Sequence, residues 1–133
     1  MSGPFIIISS FEVKDGKLEH LKRFQRELSD IIEAKEPQLI AFNAFLNKAG
    51  TEMTSIQVHP DTASMDFHLR VIREHLGDTM SAVAEFVVPK SIRYYGIPPE
   101  SLQATIAGRG GDLVSMPVHI GGFTRSSENR EGG

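Results

Sequence analysis

The apolar and polar positions of the chain follow two periodicities, which predict a series of strands and helices. Residues 5–13 are rich in β-branched and aromatic side chains and are closed by Lys14-Asp15-Gly16, as is typical of a strand and its turn. Over residues 17–35 apolar side chains recur every three or four positions, which predicts an amphipathic helix; they are Leu18, Leu21, Phe24, Leu28, Ile31 and Ile32. Pro37 ends this helix, because proline disfavours the helical conformation in the residue before it.

The middle of the chain predicts a hairpin followed by a second helix. Residues 39–46 and 52–59 are strand-like and are separated by a loop of hairpin type, so they should pair antiparallel. Asp61 or Thr62 can cap the next helix, and Gly77 stands where that helix should end. Its apolar face carries Met65, Leu69, Ile72 and Leu76.

Residues 91–95 predict a fourth strand, which completes the order strand, helix, strand, strand, helix, strand. This order is that of the ferredoxin-like βαββαβ fold, an α+β domain with an antiparallel sheet. A short C-terminal helix should follow from Pro98 to Ile106, and residues 113–124 predict an extra edge strand interrupted by Pro117. We expect one domain over residues 1–124 and a disordered tail over residues 125–133, which contain no apolar side chain.

The predicted strands are apolar on both faces, which indicates a homodimer. In the first strand Ile7 and Phe11 lie on one face while Ile6 and Ile8 lie on the other. Two helices can cover only one face of the sheet, and soluble monomers rarely expose a large apolar patch. Packing the second face against the same face of another copy buries it with two-fold symmetry.

Composition narrows the class of partner. Apolar residues make up 40% of the 133 residues, charged residues make up 23%, and the formal charge is -3. Because there is no basic surplus and no long apolar run, we expect neither nucleic acid nor a membrane as a partner. The chain has no cysteine, which excludes thiolate nucleophiles and cysteine-ligated metals, and a cytoplasmic location is expected.

Four local patterns together resemble the antibiotic-biosynthesis-monooxygenase-like family over roughly residues 5–95. They are Lys14-Asp15-Gly16-Lys17 after the first strand, Glu36-Pro37 before the second, the strand end Ile56 to Pro60, and His68-Leu69 on the second helix. The resemblance implies a dimeric α/β barrel with a pocket between helices and sheet in each subunit. Enzymes of this family oxidise polycyclic aromatic substrates with oxygen and no added cofactor, or degrade heme.

The heme-degrading branch of that family uses an asparagine on the first strand and a tryptophan on the second helix. Those positions are Ser9 and His68 here, and the chain contains no tryptophan. The family often has an aromatic residue at the end of the third strand, where this chain has His59. These differences argue against heme degradation, and we expect no cofactor.

Two residues are candidates for catalysis. His68 lies between Met65 and Ile72 on the apolar stripe of the second helix, where it can act as a general base or simply pack and bond a backbone carbonyl. Tyr94 can orient a substrate through its hydroxyl or fill the core.

Four further residues are candidates for binding a small hydrophobic ligand. Ser9 and Asn43 are polar positions in apolar strands, so each needs a partner that a ligand can provide. Tyr95 points to the face opposite Tyr94, and His59 ends the third strand. The histidines at 59, 68 and 75 lack the close spacing of a helical ligand pair, so no metal site is predicted.

These observations support two hypotheses. The first is a cofactor-independent, monooxygenase-like enzyme acting on a small hydrophobic or aromatic compound. The alternative is a non-catalytic dimeric module of the same fold that binds a small ligand or has a structural role.

Overall fold

The computed structural model describes residues 3–106 and 110–125. This part of the chain forms five strands and four helices in the order predicted from the sequence. The strands are β1 (Phe5–Val13), β2 (Ala41–Leu46), β3 (Glu52–His59), β4 (Val87–Tyr95) and β5 (Asp112–Met116). The helices are α1 (Leu18–Lys35), α2 (Thr62–His75), α3 (Gly77–Ser81) and α4 (Glu100–Ile106), and Ala82–Glu85 form a 3₁₀ turn.

The sheet has the strand order β2-β3-β1-β4-β5. Its first four strands pair antiparallel, which confirms the ferredoxin-like α+β core. The extra strand β5, whose direction the sequence does not predict, pairs parallel with β4. The chain leaves the sheet at the end of β4, passes through α4 and re-enters the sheet beside Ser91, nearer the start of β4, so β5 runs in the same direction as β4.

The largest differences from the predicted element boundaries are in the fifth and fourth strands. The fifth strand ends at Met116 instead of residue 124, because Pro117 has no backbone N–H to donate to the neighbouring strand. The second helix ends at His75 with Leu76 as its C-cap, directly before Gly77 as predicted, and Gly77 also starts α3. The fourth strand starts four residues early, at Val87, and its register shifts between Ser10 and Phe11 of β1. Most of the predicted disordered tail, residues 126–133, lies outside the described residues.

Helices α1 and α2 lie on one face of the sheet and form the core with it. Four of the six side chains in the predicted stripe of α1 are buried, and Leu18 and Ile31 are half-buried. The side-chain oxygen of Asp61 caps α2 by accepting the Ser64 backbone N–H at 2.8 Å. Two clusters of buried side chains result. One comprises Phe5, Ile7, Met65, Leu69, Ile92, Tyr94 and Leu102, and the other comprises Leu21, Phe24, Leu28, Ile32, Met53, Leu76 and Val87.

The opposite face of the sheet has no helix over it in the described part of the chain. The strand registers place Ile6 and Ile8 of β1 beside Val58 and Ile56 of β3 on this face. All four side chains are half-buried, so the apolar second face expected from the sequence is present. No helix of the described residues is long and apolar enough to cross a membrane.

Candidate active site

A cavity of about 500 Å³ lies between the helices and the sheet. Its floor is made by alternate residues of β1 and β3, among them Ser9, Ser55 and Gln57, and its roof by apolar side chains of α1 and α2. Exposed Thr105 of α4 stands at its rim. A mostly apolar cavity of this size with a few polar groups is typical of a small-molecule site.

His68 lines the cavity and is paired with Glu36. Its Nδ1 atom lies 2.8 Å from Oε2 and 3.0 Å from Oε1 of Glu36. The side chains are buried, with 6% of His68 and 1% of Glu36 exposed. Because the carboxylate accepts the Nδ1–H, the ring is held in one orientation and Nε2 is left as the atom that can exchange a proton with a ligand.

The sequence places Glu36 in this position by extending the buried stripe of α1. Leu28 and Ile32 lie on the same face of α1, and Glu36, the C-cap residue directly after the helix, continues their four-residue spacing. From the sequence alone, Glu36 is interpreted only as part of a helix end and is not predicted as a functional residue. A carboxylate that continues an apolar stripe was the signal that could have identified it, since a buried charge needs a partner.

His59 lies behind the cavity wall, next to His68. It is 0% exposed, and the centroids of the two imidazole rings are 5.8 Å apart. Its Nδ1 is 2.7 Å from Ser64 Oγ, and its Nε2 is 3.0 Å from Oε1 of Gln57. Burial, followed by the charge of His68, lowers the pKa of His59 to about 3, so the ring is neutral at neutral pH.

The partners of His59 determine its tautomer. The carbonyl oxygen of Gln57 can only accept, so the single ring proton is on Nε2 and is donated to Gln57. The Ser64 hydroxyl then donates to Nδ1. Both ring nitrogens of His59 are therefore occupied.

The lowered pKa of His59 predicts an acid-sensitive fold. Between pH 6.5 and pH 3 the unfolded chain binds one more proton at His59 than the folded chain, so the free energy of unfolding decreases as pH decreases. Between pH 6.5 and 4.5 this contribution is about 2 kcal/mol. Urea unfolding should show that His59→Asn, which has no imidazole to protonate, lacks this part of the pH dependence.

The matched control is His75→Asn, because His75 is exposed on α2. It should keep the pH dependence of the wild type. If the free energy of unfolding had the same pH dependence in His59→Asn and in the wild type, the lowered pKa of His59 would be contradicted.

Of the six residues predicted from the sequence, the structure brings two together at the cavity. Ser9 and His68 both line it. Tyr94 is buried on the helix-facing side, where its ring packs 5.9 Å from that of Phe5, but it is not part of the cavity lining. Its role in catalysis stays a prediction.

The other three residues lie away from the cavity lining. His59 contacts two lining residues, through its hydrogen bond to Gln57 and its ring contact with His68. Tyr95 pairs with Ile6 on the opposite face of the sheet, and Asn43 is exposed on the edge strand β2. Because Asn43 is exposed, water can hydrogen-bond to its amide, so this side chain does not need a ligand as its partner.

Gln25 and Gln57 are cavity-lining residues that the sequence analysis missed. Nε2 of Gln25 is buried and has no hydrogen-bond partner within the described residues. No group of three or more His, Cys, Asp or Glu side chains in residues 3–106 and 110–125 is placed to hold a metal ion.

Solved structures similar to this chain define the class of fold. MupZ from Pseudomonas fluorescens matches with a TM-score of 0.68 and 17% identity, over 92% of this chain and 91% of MupZ. A candidate antibiotic biosynthesis monooxygenase from Caulobacter crescentus matches with a TM-score of 0.62 and 14% identity, over 70% of this chain and 88% of that chain. No protein-family model matches the chain, and no curated protein does.

A third similar structure is SnoaB, a cofactor-independent oxygenase from Streptomyces nogalater, solved as the N63A mutant. It matches with a TM-score of 0.59 and 10% identity, over 74% of this chain and 96% of SnoaB. The chain therefore has the fold of the antibiotic-biosynthesis-monooxygenase-like proteins, as the sequence resemblance predicted. At these identities the match concerns the fold, so the chemistry has to be argued from the cavity itself.

Proposed function

We propose that this protein is a cofactor-independent oxygenase that acts on a small, hydrophobic aromatic compound bound in the cavity, with His68 as the general base. The observation that supports this most directly is the Glu36 carboxylate on Nδ1 of a histidine that lines an apolar cavity. A cavity-lining histidine with one nitrogen held by a carboxylate and the other not bonded to protein within the described residues is arranged to take up a proton. The fold shared with SnoaB, a cofactor-independent oxygenase, supports the same reaction class.

The proposed reaction begins when His68 Nε2 removes a proton from an acidic methylene carbon of the substrate. Glu36 stabilises the imidazolium that forms, and the apolar walls favour a substrate whose negative charge is delocalised over aromatic rings. The resulting carbanion reduces O₂. One oxygen atom forms a carbonyl on the carbon, and the other leaves as water with the two hydrogens that the methylene group loses.

Oxygen uptake with a panel of anthrones and phenols tests the proposal. We expect one O₂ consumed for each anthrone converted to the quinone, above the rate of spontaneous oxidation measured without protein. The alternative, a non-catalytic ligand-binding module of the same fold, predicts saturable binding of the same compounds without any increase in oxygen uptake.

We also propose that the protein is a homodimer that associates through the second face of the sheet. This face carries the half-buried apolar side chains of β1 and β3 and has no helix over it in the described residues. The segment after β5 adds three largely exposed apolar side chains, Val118, Ile120 and Phe123, which are 78%, 96% and 80% exposed. Apolar surface of this extent favours burial against a second copy. A cytoplasmic location stays a prediction.

A charge on the proposed interface should separate the subunits. Ile8 lies beside Ile56 on the second face. In the proposed dimer, Ile8→Asp would therefore bury a carboxylate against apolar side chains of both subunits, without a partner for its charge. Light scattering at micromolar concentration should give the mass of two chains for the wild type and of one chain for Ile8→Asp.

The matched control is Phe67→Asp, because Phe67 is 38% exposed on α2, on the opposite side of the molecule from this face. It should retain the mass of two chains. A wild-type mass equal to one chain would contradict the dimer.

A further inference from the structure

A second cavity, of about 340 Å³, lies beside the edge strand β2 and shares a wall with the cavity that His68 lines. We call the two the edge cavity and the main cavity. The edge cavity is lined by the last turns of α1, by the connection to β2 and by β2 itself. Ile32 and Phe42 line both cavities, so the wall between them is one side chain thick at these positions.

Phe42 forms the part of this wall that contacts His68. It pairs with Gln57, a main-cavity residue of β3, so its side chain is on the helix-facing side of the sheet. The centroid of its ring lies 6.1 Å from that of the His68 imidazole, and the two ring planes are tilted by 43°. Ile32 of α1 completes the wall from the helix side. The phenyl ring therefore closes the main cavity at the end where His68 lies.

The two sides of the wall differ in polarity. The main cavity is mostly apolar, whereas the edge cavity is lined by the exposed carboxylates of Asp30 and Glu33 and by buried Glu36. Of the two cavities, Glu36 lines only the edge cavity and His68 only the main cavity, so their hydrogen bond crosses the wall. The ring of Phe42 therefore separates the apolar ligand site from an acidic space that is open to solvent.

We propose that Phe42 is a specificity-determining residue that limits the length of the ligand at the His68 end of the main cavity. A ligand that meets His68 Nε2 carries no substituent beyond the group in contact with it, because the phenyl ring occupies that space. At the other edge of the sheet, α4 carries the exposed rim residue Thr105, so substituents can extend into solvent there. The inference rests on the proposed function only in taking the main cavity as the ligand site, and it adds which end of the ligand has to be short.

Two fluorescent compounds of different length test the inference without any turnover. One is anthracene with a 3-hydroxypropyl group at C2, and the other carries this group at both C2 and C6. The protein contains no tryptophan, so anthracene fluorescence reports binding directly. The first hydroxypropyl group can extend past Thr105, whereas the second has to pass Phe42. We expect the wild type to bind the disubstituted compound about tenfold or more weakly than the monosubstituted one, because a closed apolar site has no room for the additional group.

Phe42→Ala should remove this difference. The two affinities should then differ by less than about threefold, because the second hydroxypropyl group can enter the edge cavity through the gap that the ring leaves. Where Phe42→Ala does not fold, Phe42→Val provides the comparison, since it also lacks the ring and keeps a β-branched side chain suited to a strand.

Ile72→Ala is the matched control, because Ile72 lines the main cavity but not the edge cavity. It also enlarges the main cavity by truncating an apolar side chain, but it leaves the Phe42 ring in place, so it should keep the preference of the wild type. Leu39→Ala enlarges the edge cavity in the same way and should keep the preference too, since Leu39 lines only that cavity.

The inference is overturned if the wild type binds the two compounds equally or binds neither, or if Ile72→Ala loses the preference to the same extent as Phe42→Ala. A preference that persists in both Phe42→Ala and Phe42→Val overturns it as well. Oxygen uptake with another substrate would leave the proposed function intact in each of these cases. Conversely, a Phe42-dependent preference in a protein that shows no oxygen uptake would support the limit on ligand length and contradict the oxygenase.

Discussion

Replacement of His68 by asparagine should lower the turnover of an oxidised substrate by about 10²- to 10⁴-fold, the usual range for the loss of a general base. The amide nitrogen of asparagine occupies the position of Nδ1 and can still donate to Glu36, so the buried carboxylate keeps a partner. The atom that is lost is Nε2, the proposed proton acceptor. We therefore expect kcat to fall while the dissociation constant measured anaerobically stays within a few-fold of the wild type.

His75→Asn is the matched control for this prediction. It makes the same replacement on the same helix at an exposed position, so turnover should equal that of the wild type. Full turnover in His68→Asn would show that the protein removes the proton in another way or that the reaction does not begin with proton removal. A parallel loss of ligand affinity would instead indicate that His68 shapes the cavity.

Most of the fold follows from local patterns in the sequence. The spacing of Leu21, Phe24, Leu28 and Ile32 determines which face of α1 is buried, and the alternation in β1 determines which side chains face the helices. The direction of β5 could not be predicted in this way. It depends on where α4 returns the chain along the edge of β4, which is a property of tertiary packing and not of the strand's own residues.

The candidate site could be predicted only in part. The position of His68 on an apolar stripe indicated a buried histidine, but its partner Glu36 lies 32 residues earlier and meets it only when α1 and α2 pack side by side. The cavity is also a result of packing, because its volume depends on how two core clusters meet and not on any one segment. Asn43 and Tyr95 were predicted as ligand-binding residues, but neither lines the cavity. Because the strands are apolar on both faces, the sequence does not show which face borders the cavity.

Loss of either partner of the Glu36–His68 pair should destabilise the fold by about 3 to 5 kcal/mol, the typical cost of leaving a buried ionisable group without its partner. Glu36→Leu leaves the Nδ1–H of His68 unsatisfied, and His68→Leu leaves the buried carboxylate unsatisfied. Urea unfolding at one protein concentration measures both effects, since the stability of a dimer depends on concentration.

The double variant Glu36→Leu/His68→Leu should be considerably more stable than the sum of the single effects predicts. Two leucines fill the space of the pair without any polar group to satisfy, and such replacements are often neutral or stabilising. Additive single effects would contradict a direct interaction between the two side chains.

Where a single leucine variant does not fold, Glu36→Gln provides the comparison, because its amide oxygen still accepts the Nδ1–H and should retain most of the stability. A double variant that folds well but shows no oxygen uptake would indicate that the pair is retained for chemistry and not for stability.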